Sequence, residues 1–236
     1  MRSLIAILPA VLCFAQEADL PSQLARLQRL PTEQVRSLQA RLALDPAPAD
    51  KKAYHELHIA YVLASRTTTV DPKGSKALVD RTLKTFEATS DPESRALVAG
   101  LIGLKIGFSP MMGMTLGPQA AGIFDEALAK RPGNPRIALL RAIHTLHTPA
   151  FVGGGAAAAL PLLEEAVRFA EQETPPTDPW APSWGRIESL GWLAYAQVEA
   201  QQLPAARQTA ERGLALDPGN GFITRMVLPR LQAKDK

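Results

Sequence analysis

Histidine is the residue whose spacing in this chain most directly suggests chemistry. All four histidines occur in pairs with three-residue spacing, His55 with His58 and His144 with His147. Residues three apart share one face of a helix, so each pair could hold a metal ion from one side. Four imidazoles together would suit a tetrahedral zinc site. The spacing therefore suggests a metal-binding or enzymatic site.

Two features weigh against that interpretation. The pairs are far apart in the sequence, and intervening layers of helices would separate them by roughly 20 Å, more than one ion can bridge. The first pair also lacks the His-Glu-x-x-His spacing that metalloproteases need. We therefore predict no metal, no cofactor and no catalytic residues, and interpret the histidines as groove or interface residues. A metal or enzyme function through these pairs remains the alternative.

A glycine-rich stretch after the second histidine pair is the strongest candidate for a binding site. It combines a hydroxyl group, a proline, large apolar residues and three glycines, and Ser109–Gly113 repeats this pattern earlier in the chain. Glycine N–H groups before a helix can hold an anion, but no lysine follows as a phosphate loop requires. The predicted partner-binding residues are Thr148, Pro149, Phe151, Gly153, Gly154 and Gly155, together with His144 and His147.

A purely structural interpretation of the same stretch is also open. The glycines would then permit a tight turn with positive φ, and Phe151 and Met112 would pack back onto the helices. Trp180, Trp184 and Trp192 present a similar choice beside a proline-rich segment. They either form an aromatic surface for a ligand or fill the junctions between helical units.

The overall composition favours a helical protein that does not bind nucleic acid. Among 236 residues, 26 are Lys or Arg and 23 are Asp or Glu, and the two signs are mixed along the chain. A surface that follows phosphates needs concentrated positive charge. Aromatic residues make up only 6% of the chain, which is low for a protein built from β-strands.

The first residues have the pattern of a secretory signal peptide. A positive start is followed by an uncharged, mainly apolar run up to Phe14, with Ala15 as a small residue for cleavage. The run is too short to cross a membrane, which takes about 20 helical residues. We predict that residues 1–15 are removed, together with Cys13, and that the mature protein is periplasmic or secreted with no membrane span.

Prolines recur at intervals of 40 to 46 residues along the remaining chain, and each follows a run with helical periodicity. Proline disfavours helix at the residue before it, so each is predicted to mark the end of a helix. Each interval holds two helical runs, which indicates a repeated helical hairpin. The five prolines are Pro46, Pro92, Pro132, Pro175 and Pro218.

From Ile187 to Asn220 the chain resembles the tetratricopeptide-repeat family. Leu193 and Ala194 match the Leu-small pair of that family, Ala206 matches its central alanine, and Leu214, Leu216 and Pro218 match its closing run. Gly213 and Ala210 depart from the family pattern. The resemblance implies an all-α fold, a right-handed α-solenoid of antiparallel helix pairs, with a concave surface that binds a protein or peptide.

This resemblance and the proline spacing give one map of the chain. Residues 19–236 are predicted to form a single repeat domain with helix pairs near 19–44, 50–90, 93–131, 135–173 and 183–216, and a capping helix at 221–233. The predicted function is a non-catalytic binding scaffold for a protein or peptide. A structural subunit of an envelope complex is a further possibility.

Overall fold

The computed structural model describes residues 19–234, which form an all-α protein with no β-strand in that range. The all-α part of the predicted fold class is therefore confirmed. The predicted signal peptide at residues 1–15 lies outside the described residues. Within the described part of the chain, no helix is both long and apolar enough to span a membrane.

Eleven α-helices follow one another along the described residues, with short 3₁₀ turns after α1, α5 and α7 and a π-turn, Ile223–Val227, before α11. Their bounds are α1 Leu20–Ala25, α2 Thr32–Leu44, α3 Ala49–Thr67, α4 Pro72–Thr85, α5 Pro92–Phe108, α6 Gly113–Lys130, α7 Pro135–His147, α8 Ala156–Gln172, α9 Arg186–Glu199, α10 Leu203–Leu216 and α11 Leu228–Lys234.

Three helices begin at an Asx-Pro dipeptide. The side chains of Asp71, Asp91 and Asn134 accept hydrogen bonds from backbone N–H groups in the first turn, and a proline follows each of them. Proline suits the first helical position because no partner is needed for its missing N–H group. The prediction that Pro92 marks a helix end is therefore wrong, because Pro92 begins α5 and the preceding helix ends at Thr85.

Small apolar residues allow the helices to pack closely in sequence order. Each helix from α5 to α10 packs against the next, and the core between them contains fully buried alanines beside larger side chains. Alanine lets helix axes approach to the lower end of the usual separation of about 8 to 10 Å. Phe124 is the largest side chain that is fully buried in this core.

Helices α3, α5 and α7 run in the same direction, side by side. Tyr54, near the start of α3, is close enough to Glu93, at the start of α5, to interact with its charge. Further along, Tyr61 lies against Gly100, where a Cβ atom would come within 2.9 Å of the Tyr61 ring. Near the start of α5, Glu93 binds Arg136 of α7, and further along α5, Gly103 lies against His144. The α3–α5 and α5–α7 contacts each join positions about equally far along their helices, so all three helices end at the same edge of the molecule.

Candidate functional site

The edge where α3, α5 and α7 end carries a group of exposed apolar side chains, which we call the apolar edge. These residues lie on the three connections that lead into α4, α6 and α8 or at the start of the next helix. The residues of the apolar edge, with their exposed fractions, are Val70 (79%), Met111 (91%), Met114 (91%), Phe151 (89%) and Val152 (61%).

The glycines of the loop between α7 and α8 are required by its backbone. Gly153 and Gly155 have φ angles of 90° and 89°, which other residues adopt only with strain. A Cβ atom on Gly154 would lie 2.2 Å from the carbonyl oxygen of Thr148. The loop is therefore a tight turn, and its N–H groups serve its own structure, since Gly155 donates to the carbonyl of Thr145 over 3.0 Å.

This turn directs its large side chains into solvent. The expectation that Phe151 packs back onto the helices is wrong, because 89% of its surface is exposed. Met112 of the matching turn between α5 and α6 is also exposed, at 38%. Residues 150–152 form one 3₁₀ turn between Pro149 and Gly153, whose backbone is left-handed, so Phe151 lies outside both flanking helices.

The second histidine pair lies next to the apolar edge, and its two members differ. His144 is partly buried beside Phe124, with ring centres 5.6 Å apart, and burial, followed by the nearby His147, lowers its pKa. His147 is exposed, and its Nδ1 donates to the carbonyl of Ile143 over 2.9 Å. That bond fixes the tautomer and leaves Nε2 as an acceptor at the surface.

The first histidine pair lies elsewhere, under the segment that joins α8 to α9. We call residues 174–185 the strap. His58 stacks on Trp184 with ring centres 4.5 Å apart and an angle of 18° between the rings. Nε2 of His55 donates to the carbonyl of Trp180 over 2.9 Å. Tyr54, on the same helix, accepts a hydrogen bond from the Trp184 indole over 2.9 Å.

Each buried imidazole keeps one nitrogen without a hydrogen-bond partner. Gln28 contacts Nε2 of His58 over 3.2 Å, and Nδ1 of His58 and Nδ1 of His55 have no partner. Burial lowers the pKa of His55. It lowers the pKa of His58 well below its usual value, and positive charge on His55, Arg136 and Arg66 adds to that effect. Both rings are therefore neutral near pH 7.

A buried charge cluster lies beside the strap and ties four parts of the chain together. The Arg136 guanidinium donates to Glu93 over 3.0 Å, to Glu173 over 2.6 Å and to the carbonyl of Trp184 over 3.1 Å. Burial alone would lower the pKa of Arg136, but the bonds to Glu173 and Glu93 reverse this and raise it. Arginine suits such a site because its planar fork can serve several acceptors.

The structure does not bring the two histidine pairs together. The described residues contain no group of three or more His, Cys, Asp or Glu side chains arranged to hold a metal ion. The three tryptophans also lie in two separate places. Trp180 and Trp184 lie over α3, while Trp192 packs against His147 and Phe222.

Sequence reasoning missed the charge cluster around Arg136. Its one visible signal is the position of Arg136 directly after the Asn134-Pro135 start of α7, which places the side chain in the first turn. Its partners Glu93 and Glu173 lie about 40 residues away on either side. No local pattern links such distant charges.

These features define an all-α protein of serially packed helices with an apolar loop edge. The HusA haemophore from Porphyromonas gingivalis is a solved structure with a similar fold, with a TM-score of 0.58 over 76% of this chain and 92% of that one. The two chains are 23% identical, so the likeness is one of fold. No protein-family model and no curated protein matches the chain.

Proposed function

We propose that this chain is an exported, non-catalytic binding protein and that the apolar edge holds a protein or peptide segment. The exposure of five large apolar side chains where parallel helices end together carries the proposal. Soluble proteins expose such side chains singly, whereas grouped ones mark interaction surfaces. Methionine adds adaptability, because its flexible side chain fits partners of varied shape.

The proposed architecture is the right-handed α-solenoid of antiparallel pairs that the tetratricopeptide-repeat resemblance implies. The shared direction of α3, α5 and α7 and the packing of each helix on its successor support it. In such a solenoid the first helices line the concave surface. Here the strap covers part of that surface at Tyr54, His55 and His58, so we assign partner binding to the apolar edge.

Export is part of the same proposal. It rests on the signal pattern at residues 1–15, which leads to the periplasm or to secretion. A nucleic-acid partner is not proposed, because positive and negative charges are mixed along the chain.

Site-specific photo-crosslinking in the native compartment tests the proposed binding surface. A photoreactive residue at Phe151 should give a defined adduct with one partner. Leu44 is the matched control, because it is also apolar and 87% exposed but lies at the end of α2, outside the apolar edge. The same adducts from both positions, or none from either, would count against the proposal.

Haem is a second candidate ligand, and one observation in this chain favours it. His147 is exposed and its Nδ1 is held by a backbone carbonyl, so the neutral ring offers Nε2 as the free acceptor. That is the arrangement of a metal-ligating imidazole. Haem iron accepts histidine or methionine as axial ligands, and both occur near this edge. The similar fold of a protein named a haemophore adds support.

Titration of the purified protein with haemin tests whether haem, and not only a protein or peptide, is a ligand. If haem binds through His147, the Soret band shifts on binding and the shift is lost in His147→Ala. His144→Gln is the control, because its ring is partly buried, and this variant should keep the shift. Absence of any Soret change in the wild-type protein would remove haem and leave the protein partner.

A structural subunit and an enzyme each predict a different result. A structural subunit of an envelope complex would be recovered by pull-down in one stable assembly, whereas a scaffold releases its partner on dilution. An enzyme or metal protein that uses the histidine pairs would retain zinc, copper or nickel after purification. It would also lose that metal in His58→Ala.

A further inference from the structure

The strap lies over α3 and is held there by a small number of separate contacts. At one end the carboxylate of Asp178 binds the ammonium group of Lys51. In the middle the carbonyl of Trp180 accepts from His55, and at the other end the Trp184 ring stacks on His58. The Trp184 indole also donates to Tyr54, and the Trp184 carbonyl accepts from Arg136. Two of these five contacts involve an imidazole, so a change in the charge of those rings acts directly on the attachment of the strap.

Apart from these contacts and the buried Trp184, much of the strap is exposed. Residues 174–177, 179 and 183 are exposed, and the segment contains no helix or strand. Four prolines stiffen it, so its unbound form loses less conformational entropy on docking than an ordinary loop would. Opening would draw Trp184, which is buried in the main core, away from α3 and would expose Tyr54, His55 and His58 without unwinding a helix.

Positive charge near the imidazoles makes their protonation unfavourable while the strap is closed over α3. Arg136 from α7 and Arg66 on α3 both act on His58. Gln28, from the turn after α1, offers a neutral amide. Glu93 and Glu173 both pair with Arg136, and Asp178 pairs with Lys51. Among residues 19–234, these carboxylates therefore serve other cations and do not stabilise the charged form of either imidazole.

The unsatisfied nitrogens add a further cost to closure. Nδ1 of both rings is buried without a hydrogen-bond partner. Water satisfies these atoms once the strap leaves. Burial without a partner penalises the closed form, and a proton on His58 increases that penalty because a buried charge costs more than a buried dipole.

We propose that the strap is an acid-released latch: protonation of His58, assisted by His55, detaches residues 178–185 from α3 and exposes the concave face. The sign follows from linkage. An open strap returns His58 to the ordinary pKa near 6.5, whereas burial holds its pKa lower in the closed form. The closed form is therefore favoured above about pH 6.5 and loses its advantage as the pH falls below that value.

Hydrogen exchange on the wild-type protein tests the latch without any substitution. After correction for intrinsic exchange rates, protection of residues 178–185 should fall between pH 7.5 and pH 5, by up to about tenfold for each pH unit below about 6.5. Protection of α8 should stay constant over the same range. Constant protection of the strap, or equal loss in α8, would overturn the proposal.

Tryptophan fluorescence identifies the responsible side chain. In a Trp192→Phe background the remaining tryptophans, Trp180 and Trp184, both lie in the strap, and their emission should shift to longer wavelength below pH 6.5. His58→Phe keeps an aromatic ring for the stack and cannot be protonated, so the shift should disappear. His147→Gln, the exposed control, should leave the shift intact. A shift that persists in His58→Phe would refute the mechanism.

Discussion

Arg136 donates hydrogen bonds to two carboxylates and one backbone carbonyl in a site that is buried from solvent. Only 5% of its side chain is exposed, and Glu93 is equally buried at 4%. Buried ion pairs add little net stability compared with apolar residues, but removal of one partner leaves an uncompensated charge. The position matters for function because the same guanidinium also holds the carbonyl of Trp184 at the end of the strap.

We expect Arg136→Ala to lower the free energy of unfolding by about 3 to 5 kcal/mol, because Glu93 would remain buried and charged. Urea denaturation at pH 7.5 measures this change. Arg168→Ala is the matched control: Arg168 pairs with Glu165 on the surface of α8, and loss of an exposed pair costs about 0 to 1 kcal/mol. Equal losses for the two variants would contradict the burial argument.

At the scale of single residues, sequence spacing predicts possible chemistry but not its surroundings. Both histidine pairs have the same spacing, yet one lies under the strap and the other beside the apolar edge. The difference arises from Trp180 and Trp184, which reach α3 from more than 120 residues away. Helical periodicity carries no information about contacts at that distance.

At the scale of elements, the connections between helices distinguish this chain. The loop between α7 and α8 needs glycine at three successive positions, two for positive φ and one for close approach to Thr148. The sequence predicts the turn because three successive glycines are typical of a backbone that needs positive φ or a close approach. It does not predict the exposure of Phe151, because an apolar residue in a loop usually packs inward.

Two glycine substitutions test whether the loop geometry is fixed. Gly154→Ala would place a Cβ atom against backbone at Thr148, so we expect it to cost about 1 to 3 kcal/mol of stability. Gly122→Ala, in the interior of α6, meets no atom within 4 Å and should stabilise the protein by about 0.5 to 1 kcal/mol. Thermal melts compare the two. An unchanged melting temperature for Gly154→Ala would show that the loop relaxes freely.

At the scale of the whole molecule, helices α3, α5 and α7 share one direction, so the three connections that follow them lie at one edge. Proline spacing and helical periodicity predict repeated hairpins. They do not predict which connections expose apolar side chains, or that the strap crosses back to α3. Those features depend on contacts between repeats, which are specified by side chains far apart in the sequence.

The stability of the whole molecule should fall in mild acid. Burial lowers the pKa values of His55, His58 and His144, so the folded chain binds fewer protons than the unfolded chain just below pH 6.5. By linkage, stability is retained above that pH and decreases as the pH falls below it. The urea midpoint should therefore be lower at pH 5.5 than at pH 7.5. An equal or higher midpoint at pH 5.5 would contradict the lowered pKa values.

The proposed binding surface is tested most directly by the affinity of the partner crosslinked at position 151 for three proteins: wild type, Phe151→Ser and Leu44→Ser. Both substitutions remove an exposed apolar side chain and should leave stability nearly unchanged. Burial of one such side chain in an interface contributes about 1.5 to 3 kcal/mol, or at least tenfold in affinity. The proposal predicts that loss for Phe151→Ser and wild-type affinity for Leu44→Ser. Unchanged binding by Phe151→Ser, or an equal loss in both variants, would contradict it.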